Sequence, residues 1–283
     1  MTPGPVVLAA GDIADRHQRA VETARLLRTI PDATILALGD NAYKCGTPDD
    51  YTNHYTPTWG DASLLARTRA CPGNHDFNGP FPCRSQQGRE YFRYFTASHN
   101  EVWTAGNNTK NFYSFEIANC RWHLVSLNSE IPTNRGSAQL QWLEADLRAH
   151  QGRPILAFFH RPRFSSGNHA SQSDLQELWQ LLCAFKTEIV LNGHDHSYER
   201  FRPQNANQQP DPSGTAAFVV GTGGKEFEAP QRERERNSEF VPKNALGVLK
   251  LTLNDQSYDF AFLTTTGQVI DAQPNVAVND GHR

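Results

Sequence analysis

The feature that most constrains this chain is a buried strand that ends in a histidine pair, within residues 188–200. Residues 189–191, Ile-Val-Leu, predict the strand, which stops at an Asn-Gly pair. His194 and His196 follow, and if the backbone stays extended both imidazoles point to the same side. Because open α/β sheets bind ligands at the carboxyl ends of their strands, the stretch predicts a sheet protein with a site at that edge.

The His-x-His pattern has two interpretations. Neutral imidazole is the commonest ligand of transition metals, so His194 and His196 predict a metal site with further His, Asp or Asn ligands elsewhere in the chain. The alternative is a polar turn whose histidines face water, because a motif this short often occurs by chance. The residues at the other predicted strand ends decide between these two interpretations.

Two aspartates follow predicted strands near the amino terminus. The apolar run 5–10 ends just before Asp12, and residues 34–38 end just before Asp40. Between them, residues 13–29 have a helical pattern. A strand, a helix and a second buried strand form a βαβ unit, which pairs its strands in parallel. Both aspartates are therefore expected at the same edge.

Two further predicted strands end in similar residues. A weaker strand at 67–71 is followed by Asn-His-Asp at residues 74–76, and the strand at 154–159 is followed by His160. The alternation of strands and helices therefore predicts five polar clusters at one sheet edge. Oxygen donors mixed with imidazoles suit iron, zinc or manganese better than calcium, and Asp40, central in chain order, is the candidate bridge between two metals.

The remaining pattern completes an α/β chain. Further helices are predicted at 88–97, 138–150 and 174–185, an antiparallel strand pair at 111–117 and 122–127, and strands at 216–220, 248–253 and 258–263. A linker rich in Gln, Asn and Pro is predicted after Arg200. With 283 residues and 38% hydrophobic content, we expect one domain over residues 1–283.

Composition excludes several classes of partner. Acidic and basic residues nearly balance, 30 against 27, so no basic field indicates a nucleic-acid partner. No apolar run reaches the length of a membrane span. Of the five cysteines, Cys45 and Cys83 lie in loops rich in Gly and Pro, so they are a candidate disulfide in an oxidising compartment. The alternative is five free thiols.

Five motifs in chain order carry a resemblance to a known family. They are Gly11-Asp12, Gly39-Asp-Asn-Ala-Tyr43, Gly73-Asn-His-Asp76, His160 and Gly193-His-Asp-His-Ser-Tyr-Glu-Arg200. The combination resembles the calcineurin-like metallophosphoesterases, most closely the purple acid phosphatases, with a further match at the glycine-rich strand end 220–224. The resemblance implies an α/β (α+β) fold, a β-sandwich flanked by helices with its metal site at the carboxyl ends of the strands.

A tyrosine at the position of Tyr43 distinguishes the purple acid phosphatases from the wider superfamily. Purple acid phosphatases bind ferric iron through a tyrosinate. A free phenol is not ionised at neutral pH, but a trivalent metal can displace its proton. The alternative is a tyrosine that caps the loop. The resemblance implies one metal held by Asp12, Tyr43, His196 and the bridging Asp40. It implies a second metal held by Asn74, His160, His194 and the same bridge.

The resemblance also implies chemistry. The metals are Fe(III) with Fe(II), Zn(II) or Mn(II), and a metal-bound hydroxide is the nucleophile. His75 and His169 are expected to bind the phosphoryl oxygens or to protonate the leaving group, with Asp76 orienting His75. Plant members have a second histidine directly after the position of His169, where this chain has Ala170, so its substrate choice is expected to differ.

The function expected first is hydrolysis of phosphate monoesters. The alternatives are a phosphodiesterase of the same superfamily, acting on nucleotides or phospholipid headgroups, and a non-catalytic scaffold on the same fold. Residues 1–4 lead directly into a predicted strand and contain neither the charged region nor the apolar region of a signal peptide. This observation is compatible with two locations. We expect an exported protein, secreted or periplasmic, whose signal peptide is absent from this sequence; the alternative is a cytoplasmic protein.

Overall fold

Two mixed β-sheets form the centre of the structure, which is a computed structural model describing residues 4–79, 83, 87–98, 106–107, 112–229 and 233–279. The six-stranded sheet has the strand order β14-β13-β12-β1-β2-β3, and the eight-stranded sheet has the order β11-β9-β10-β8-β7-β6-β5-β4. One hydrophobic core contains residues of both sheets, such as Leu36 and Phe158, so the sheets pack face to face. The α/β sandwich implied by the resemblance is confirmed.

Strands and helices alternate up to residue 192, and strands dominate the rest of the chain. The strands are β1 (Val6–Ala10), β2 (Thr34–Leu38), β3 (Thr68–Cys71), β4 (Gly106–Asn107), β5 (Phe112–Glu116), β6 (His123–Ser126), β7 (Ile155–Phe158), β8 (Ile189–Asn192), β9 (Tyr198–Gln204), β10 (Thr215–Val220), β11 (Ser238–Phe240), β12 (Gly247–Leu253), β13 (Ser257–Thr264) and β14 (Val269–Ala277). The helices are α1 (Ala20–Arg28), α2 (Pro48–Asp50), α3 (Ala62–Leu65), α4 (Asn74–Phe77), α5 (Arg89–Ser98), α6 (Ala138–Ala149) and α7 (Gln176–Ala184). A π-helical turn lies at Tyr51–Tyr55 and a 3₁₀ turn at Ser173–Leu175.

The middle of each sheet is parallel, which brings several strand ends together. Strands β1, β2 and β3 pair in parallel, and so do β6, β7, β8 and β10. The remaining neighbours, including β12 to β14, pair antiparallel. Parallel strands point their carboxyl ends the same way, so each sheet presents one edge to a common region.

The central strands β7 and β8 are almost entirely apolar because both of their faces are buried. In β7, Leu156 and Phe158 belong to the core between the sheets, whereas Ile155 and Ala157 pack with residues of helices α6 and α7. In β8, Val190 likewise faces these helices while its neighbours face the other sheet. This two-sided burial explains why such strands are continuous apolar runs, and each large side chain buried contributes about 1.5 to 3 kcal/mol.

The structure corrects three expectations. The helix predicted at 13–29 is shorter, Ala20–Arg28, because the backbone of Ile13 and Ala14 hydrogen-bonds to the loop after β2. Only residues 201–204 of the predicted linker after Arg200 belong to strand β9, which pairs with β10 and β11, and the residues from 205 to 214 are irregular as predicted. The polar clusters lie at the edges of two sheets rather than one, because strands β1 to β3 and β7 to β8 belong to different sheets.

A disulfide joins two loops that carry predicted site residues. Cys45 and Cys83 form the bond, 38 residues apart, so the alternative of five free thiols is wrong. Cys71, Cys120 and Cys183 are free. Among the described residues, no helix combines the length and the apolar composition that a membrane crossing requires.

Candidate metal centre

Six of the predicted site residues stand just beyond strand ends of the two sheets. In chain order they are Asp12, Asp40, Asn74, His160, His194 and His196. The first three follow β1, β2 and β3 of the six-stranded sheet, and the other three follow β7 and β8 of the eight-stranded sheet. Tyr43 lies in the loop after β2. The two sheets therefore bring residues 182 positions apart into contact, as the hydrogen bond from His194 to Asp12 demonstrates.

The Tyr43 hydroxyl marks one half of this centre. It lies 2.8 Å from Oδ1 of Asp12 and 3.0 Å from Oδ2 of Asp40. Nε2 of His196 is 3.2 Å from the same hydroxyl. Tyr43 is almost fully buried, so its hydroxyl is surrounded by these three groups and shielded from bulk water.

Nε2 of His160 marks the other half. It lies 3.2 Å from Oδ1 of Asn74 and 3.2 Å from Nδ1 of His194. Oδ2 of Asp40 is 3.3 Å from this nitrogen. The same Asp40 oxygen thus contacts both halves, which is the position that a bridging carboxylate requires.

Each aspartate divides its two oxygens between the backbone and the centre. Oδ2 of Asp12 accepts a hydrogen bond of 2.8 Å from the backbone N–H of His194. Oδ1 of Asp40 accepts one of 2.8 Å from the backbone N–H of His75. Because one oxygen of each carboxylate is fixed in this way, the other is held pointing into the centre.

Three of these residues have left-handed backbone conformations. The φ angles of Asp12, Asp40 and His194 are 58°, 49° and 74°. Such conformations cost about 1 to 3 kcal/mol each in non-glycine residues and cluster at functional sites. The extended backbone expected for the His-x-His pattern is therefore wrong: residues 194–197 turn. Both imidazoles nevertheless reach the centre, His194 at its His160 side and His196 at its Tyr43 side.

Gly73 and Gly193 leave space for the two aspartates. A Cβ atom on Gly73 would lie 2.2 Å from Oδ1 of Asp40, and one on Gly193 would lie 2.6 Å from Oδ2 of Asp12. Both distances are far below van der Waals contact. The glycines of these two motifs therefore permit the carboxylates to approach the backbone.

The donor atoms fit a positively charged occupant. Nδ1 of His160 donates to the carbonyl of Leu38 at 2.9 Å, because a carbonyl can only accept. In the neutral tautomer, Nε2 then presents a lone pair to the Oδ2 lone pairs of Asp40, an arrangement that needs a proton or a metal ion between them. Asp12, Asp40 and His160 are all fully buried, and their ligand atoms lie within 4.8 Å of one another.

The pKa shifts point the same way. Burial alone would lower the pKa of His160, but the Asp40 carboxylate raises it to about 10. Burial alone would raise the pKa of Asp40, but His160 and His75 hold it well below its ordinary value. Burial, with Asp12 and Asp40, raises the pKa of the Tyr43 phenol well above its ordinary value, so an ionised Tyr43 needs a cation beside it.

His75 lies beside the centre, but it is neither the bridging residue nor a member of either half. Its Nδ1 donates to the carbonyl of Lys44 at 2.6 Å, and its Nε2 is 3.8 Å from Oδ2 of Asp40. Its ring centroid is 4.4 Å from that of Tyr43. The Lys44 carbonyl, rather than Asp76 as expected, therefore orients this imidazole towards the centre.

Asp76 instead ties together the two loops that carry the site. It is buried and accepts hydrogen bonds from the backbone and side chain of Asn41, from the backbone of Gly73 and from the Tyr51 hydroxyl at 2.7 Å. These donors come from the loop after β2, the loop after β3 and the helical turn Tyr51–Tyr55. Asp76 thus fixes the position of Asp40 relative to Asn74 without facing the centre.

We expect Asp76→Ala to lower the free energy of unfolding by about 3 kcal/mol or more, because it leaves several buried donors without a charged acceptor. Urea denaturation followed by circular dichroism measures the loss. Asp49→Ala, at an exposed position of α2, is the matched control and should change stability by less than about 0.5 kcal/mol. Equal stability of the two variants would contradict the role of Asp76.

His169 approaches the centre from the opposite side, on a loop between β7 and α7. Its ring centroid is 4.3 Å from that of His194, and its side chain is 43% exposed. Its Nδ1 and its backbone N–H both bond to Oδ1 of Asp195, at 3.2 and 2.8 Å. This bond raises the pKa of His169 above its ordinary value.

Sequence reasoning missed three residues at the site. Asp195 holds His169, Glu228 lies 3.4 Å from Nδ1 of His196, and the Lys225 ammonium lies over the Tyr43 ring. Asp195 stands between the two histidines of the starting motif, so its position was a usable signal. Lys225 and Glu228 follow the glycine-rich strand end at residues 221–224, and the sequence contains no comparable signal for their contacts.

Comparison with known proteins relates this arrangement to a family. The family model of calcineurin-like phosphoesterases matches residues 5–198. Purple acid phosphatase 18 of Arabidopsis thaliana is 31% identical over 207 residues, which cover 68% of this chain but only 44% of that protein. Human tartrate-resistant acid phosphatase type 5 is 26% identical over 248 residues, 82% of this chain and 73% of that protein.

Solved structures support the fold. Purple acid phosphatase PPD1 from yellow lupin seeds superposes with a TM-score of 0.74 at 22% identity, over 96% of this chain and 53% of that one. GAP50, described as the anchor in the inner membrane complex of Plasmodium, superposes with a TM-score of 0.70 at 15% identity, over 99% of this chain and 91% of that one. At these identities the likeness concerns the architecture alone.

Proposed function

Because the chain belongs to the calcineurin-like phosphoesterase family, we propose that it hydrolyses phosphate monoesters at a binuclear centre of Fe(III) and a divalent metal. The divalent metal is Fe(II), Zn(II) or Mn(II). The observation that carries the proposal is the buried Tyr43 hydroxyl between Asp12, Asp40 and His196. A phenolate between two carboxylates is unfavourable without a strongly charged cation, and ferric iron is a cation that suits it.

The proposed ligands divide according to the two halves of the centre. Asp12, Tyr43 and His196 would hold the ferric ion, and Asn74, His160 and His194 would hold the divalent ion. Asp40 would bridge them, which its Oδ2 contacts with Tyr43 and His160 support. The backbone hydrogen bonds to Asp12 and Asp40 would hold these two carboxylates in position for the metals.

When bound, the metals would supply an activated water and a positive field for the phosphoryl oxygens. The residues of the chain would do the rest. His75, oriented by the Lys44 carbonyl, and His169, held by Asp195, flank the centre and would contact the phosphoryl oxygens or deliver a proton to the leaving group. Because they stand on separate loops, the two imidazoles would reach a bound phosphate from different elements of the fold.

We further propose that residues 1–283 act as one domain and that the protein works in an oxidising, extracytoplasmic compartment. The Cys45–Cys83 disulfide supports the second part, because such bonds persist where thiols are not kept reduced. The proposed substrate is a small-molecule phosphoester, and the proposal does not specify its alcohol. Comparing a nitrophenyl phosphate monoester with the corresponding diester separates the proposed activity from the phosphodiesterase alternative.

The proposal predicts that the iron-loaded, oxidised protein is violet through charge transfer from Tyr43 to Fe(III), and that Tyr43→Phe bleaches the colour. Visible absorption together with metal counting measures this. Tyr55→Phe is the matched control: Tyr55 is equally buried, and its hydroxyl has no hydrogen-bond partner within the described residues. A colourless wild-type sample that holds two metals after iron loading and oxidation would overturn the assignment and favour a Zn or Mn diesterase.

A further inference from the structure

Lys225 places a positive charge against the proposed tyrosinate ligand. Its Nζ lies 5.0 Å from the centroid of the Tyr43 ring, on the ring face. The same nitrogen is 3.1 Å from Oδ2 of Asp15, which is itself buried. The Lys225 side chain is only 27% exposed, so the ammonium is partly shielded from water. A cation within about 6 Å of an aromatic centroid interacts with the ring, and more strongly as it loses water.

The backbone around Lys225 is held closely against the loop that carries Asp12. The Lys225 N–H donates to the carbonyl of Asp12 at 2.8 Å, and the Gly223 N–H donates to the carbonyl of Gly11 at 2.8 Å. A Cβ atom on Gly224, whose φ is +155°, would lie 2.5 Å from the carbonyl oxygen of Ile13. The position of the ammonium over the ring therefore follows from a close backbone contact rather than from a free surface side chain.

We propose that Lys225 is a positioning residue that sets the electronic properties of the Tyr43 ligand. The inference rests on the proposed function, because it concerns Tyr43 as a phenolate bound to ferric iron. Because the ammonium lies over the ring face and the ion would be held beyond the hydroxyl, the field of the ammonium is stronger at the ring than at the ion. It therefore holds the phenolate electrons more firmly than it favours their transfer to the metal. Lys225 therefore raises the energy of the charge-transfer transition. The Asp15 carboxylate holds the ammonium over the Tyr43 ring.

Substitutions at Lys225 test the proposal on the iron-loaded, oxidised protein. Lys225→Met keeps the length of the side chain but removes its charge, and we expect the visible absorption maximum to move to longer wavelength with both metals retained. Lys225→Arg keeps the charge and should stay near the wild-type maximum. Lys250→Met removes a lysine charge from strand β12, away from the Tyr43 ring, and serves as the matched control.

Lys225→Gln provides a second variant. It also removes the charge but keeps a polar end that can reach Asp15, so the maximum should again move to longer wavelength. This variant decides the question if Lys225→Met fails to fold or to retain two metals. A shift to longer wavelength with Lys225→Gln then supports the proposal, and an unchanged maximum overturns it.

The remaining outcomes separate this inference from the function on which it rests. A colourless wild type with two bound metals, one of them ferric, rejects the ferric–tyrosinate centre, and the inference falls with it. A violet wild type whose Lys225→Met variant has the same maximum and the same metal content overturns the role of Lys225 and leaves the proposed function intact. An equal shift in Lys225→Arg and Lys225→Met shows that charge is not the cause, and it too overturns the inference.

Discussion

Asp40→Ala is expected to lose both metals and nearly all phosphatase activity. The Oδ2 atom of Asp40 lies 3.0 Å from the Tyr43 hydroxyl and 3.3 Å from Nε2 of His160, so its removal takes a ligand from both halves of the centre. It also leaves the Tyr43 and His160 donors without the carboxylate between them. The loss of an outer hydrogen-bond partner of a metal ligand already costs about 10- to 100-fold in metal affinity or activity, and loss of the bridge should exceed that range.

Metal counting on the purified variants decides this prediction. Asn74→Ala should lose mainly the divalent metal, because Asn74 contacts His160 and belongs to that half of the centre. Asp32→Ala removes an exposed aspartate and should retain both metals. Circular dichroism confirms that each variant is folded. Two metals in folded Asp40→Ala would remove Asp40 from the centre.

His75→Ala is expected to keep both metals yet to lose about 10²-fold or more in turnover, which is the usual scale of a general-acid contribution. His75 is oriented by the Lys44 carbonyl and directs Nε2 towards the centre, 3.8 Å from Asp40. Its loss should matter less for esters whose alcohol leaves readily. A nitrophenolate needs little protonation on departure, whereas an alkyl alkoxide needs it strongly.

Steady-state kinetics on an aryl and an alkyl phosphate therefore test the role of His75. His17→Ala, at an exposed histidine outside the centre, is the matched control and should leave both rates unchanged. An equal loss on both esters, carried mainly in KM, would assign His75 to uniform substrate binding instead of proton transfer.

The sequence predicted most of the strands because their burial leaves a direct trace. A strand such as β8, packed on both faces, is apolar over Ile189, Val190 and Leu191, and polar residues begin only at its end. This is why the runs before Asp12, Asp40 and His160 were recognisable. The motifs at these strand ends then indicated a metal centre, with the resemblance supplying the division of ligands between two ions.

The features that sequence reasoning missed depend on contacts between distant parts of the chain. The apolar run of a strand does not indicate which sheet the strand joins. The polar clusters were therefore expected at one sheet edge, whereas two sheets contribute them. The left-handed φ of His194 depends on its hydrogen bond to Asp12, 182 residues away, and no local rule predicts it. Lys225 reaches Tyr43 for the same kind of reason, through a backbone contact with residues 11–13.

The division of the ligands between two sheets has a thermodynamic consequence. Asp12, Asp40 and Asn74 extend from one sheet, and the three histidines extend from the other, so the proposed ions would bind fully only when the sheets are packed together. By linkage, a ligand bound only by the folded state stabilises it by RT ln(1 + [L]/Kd), about 4 kcal/mol when its free concentration is 1,000 times Kd. The ions would then be part of what joins the layers of the sandwich, and chelation would weaken the fold as well as the chemistry.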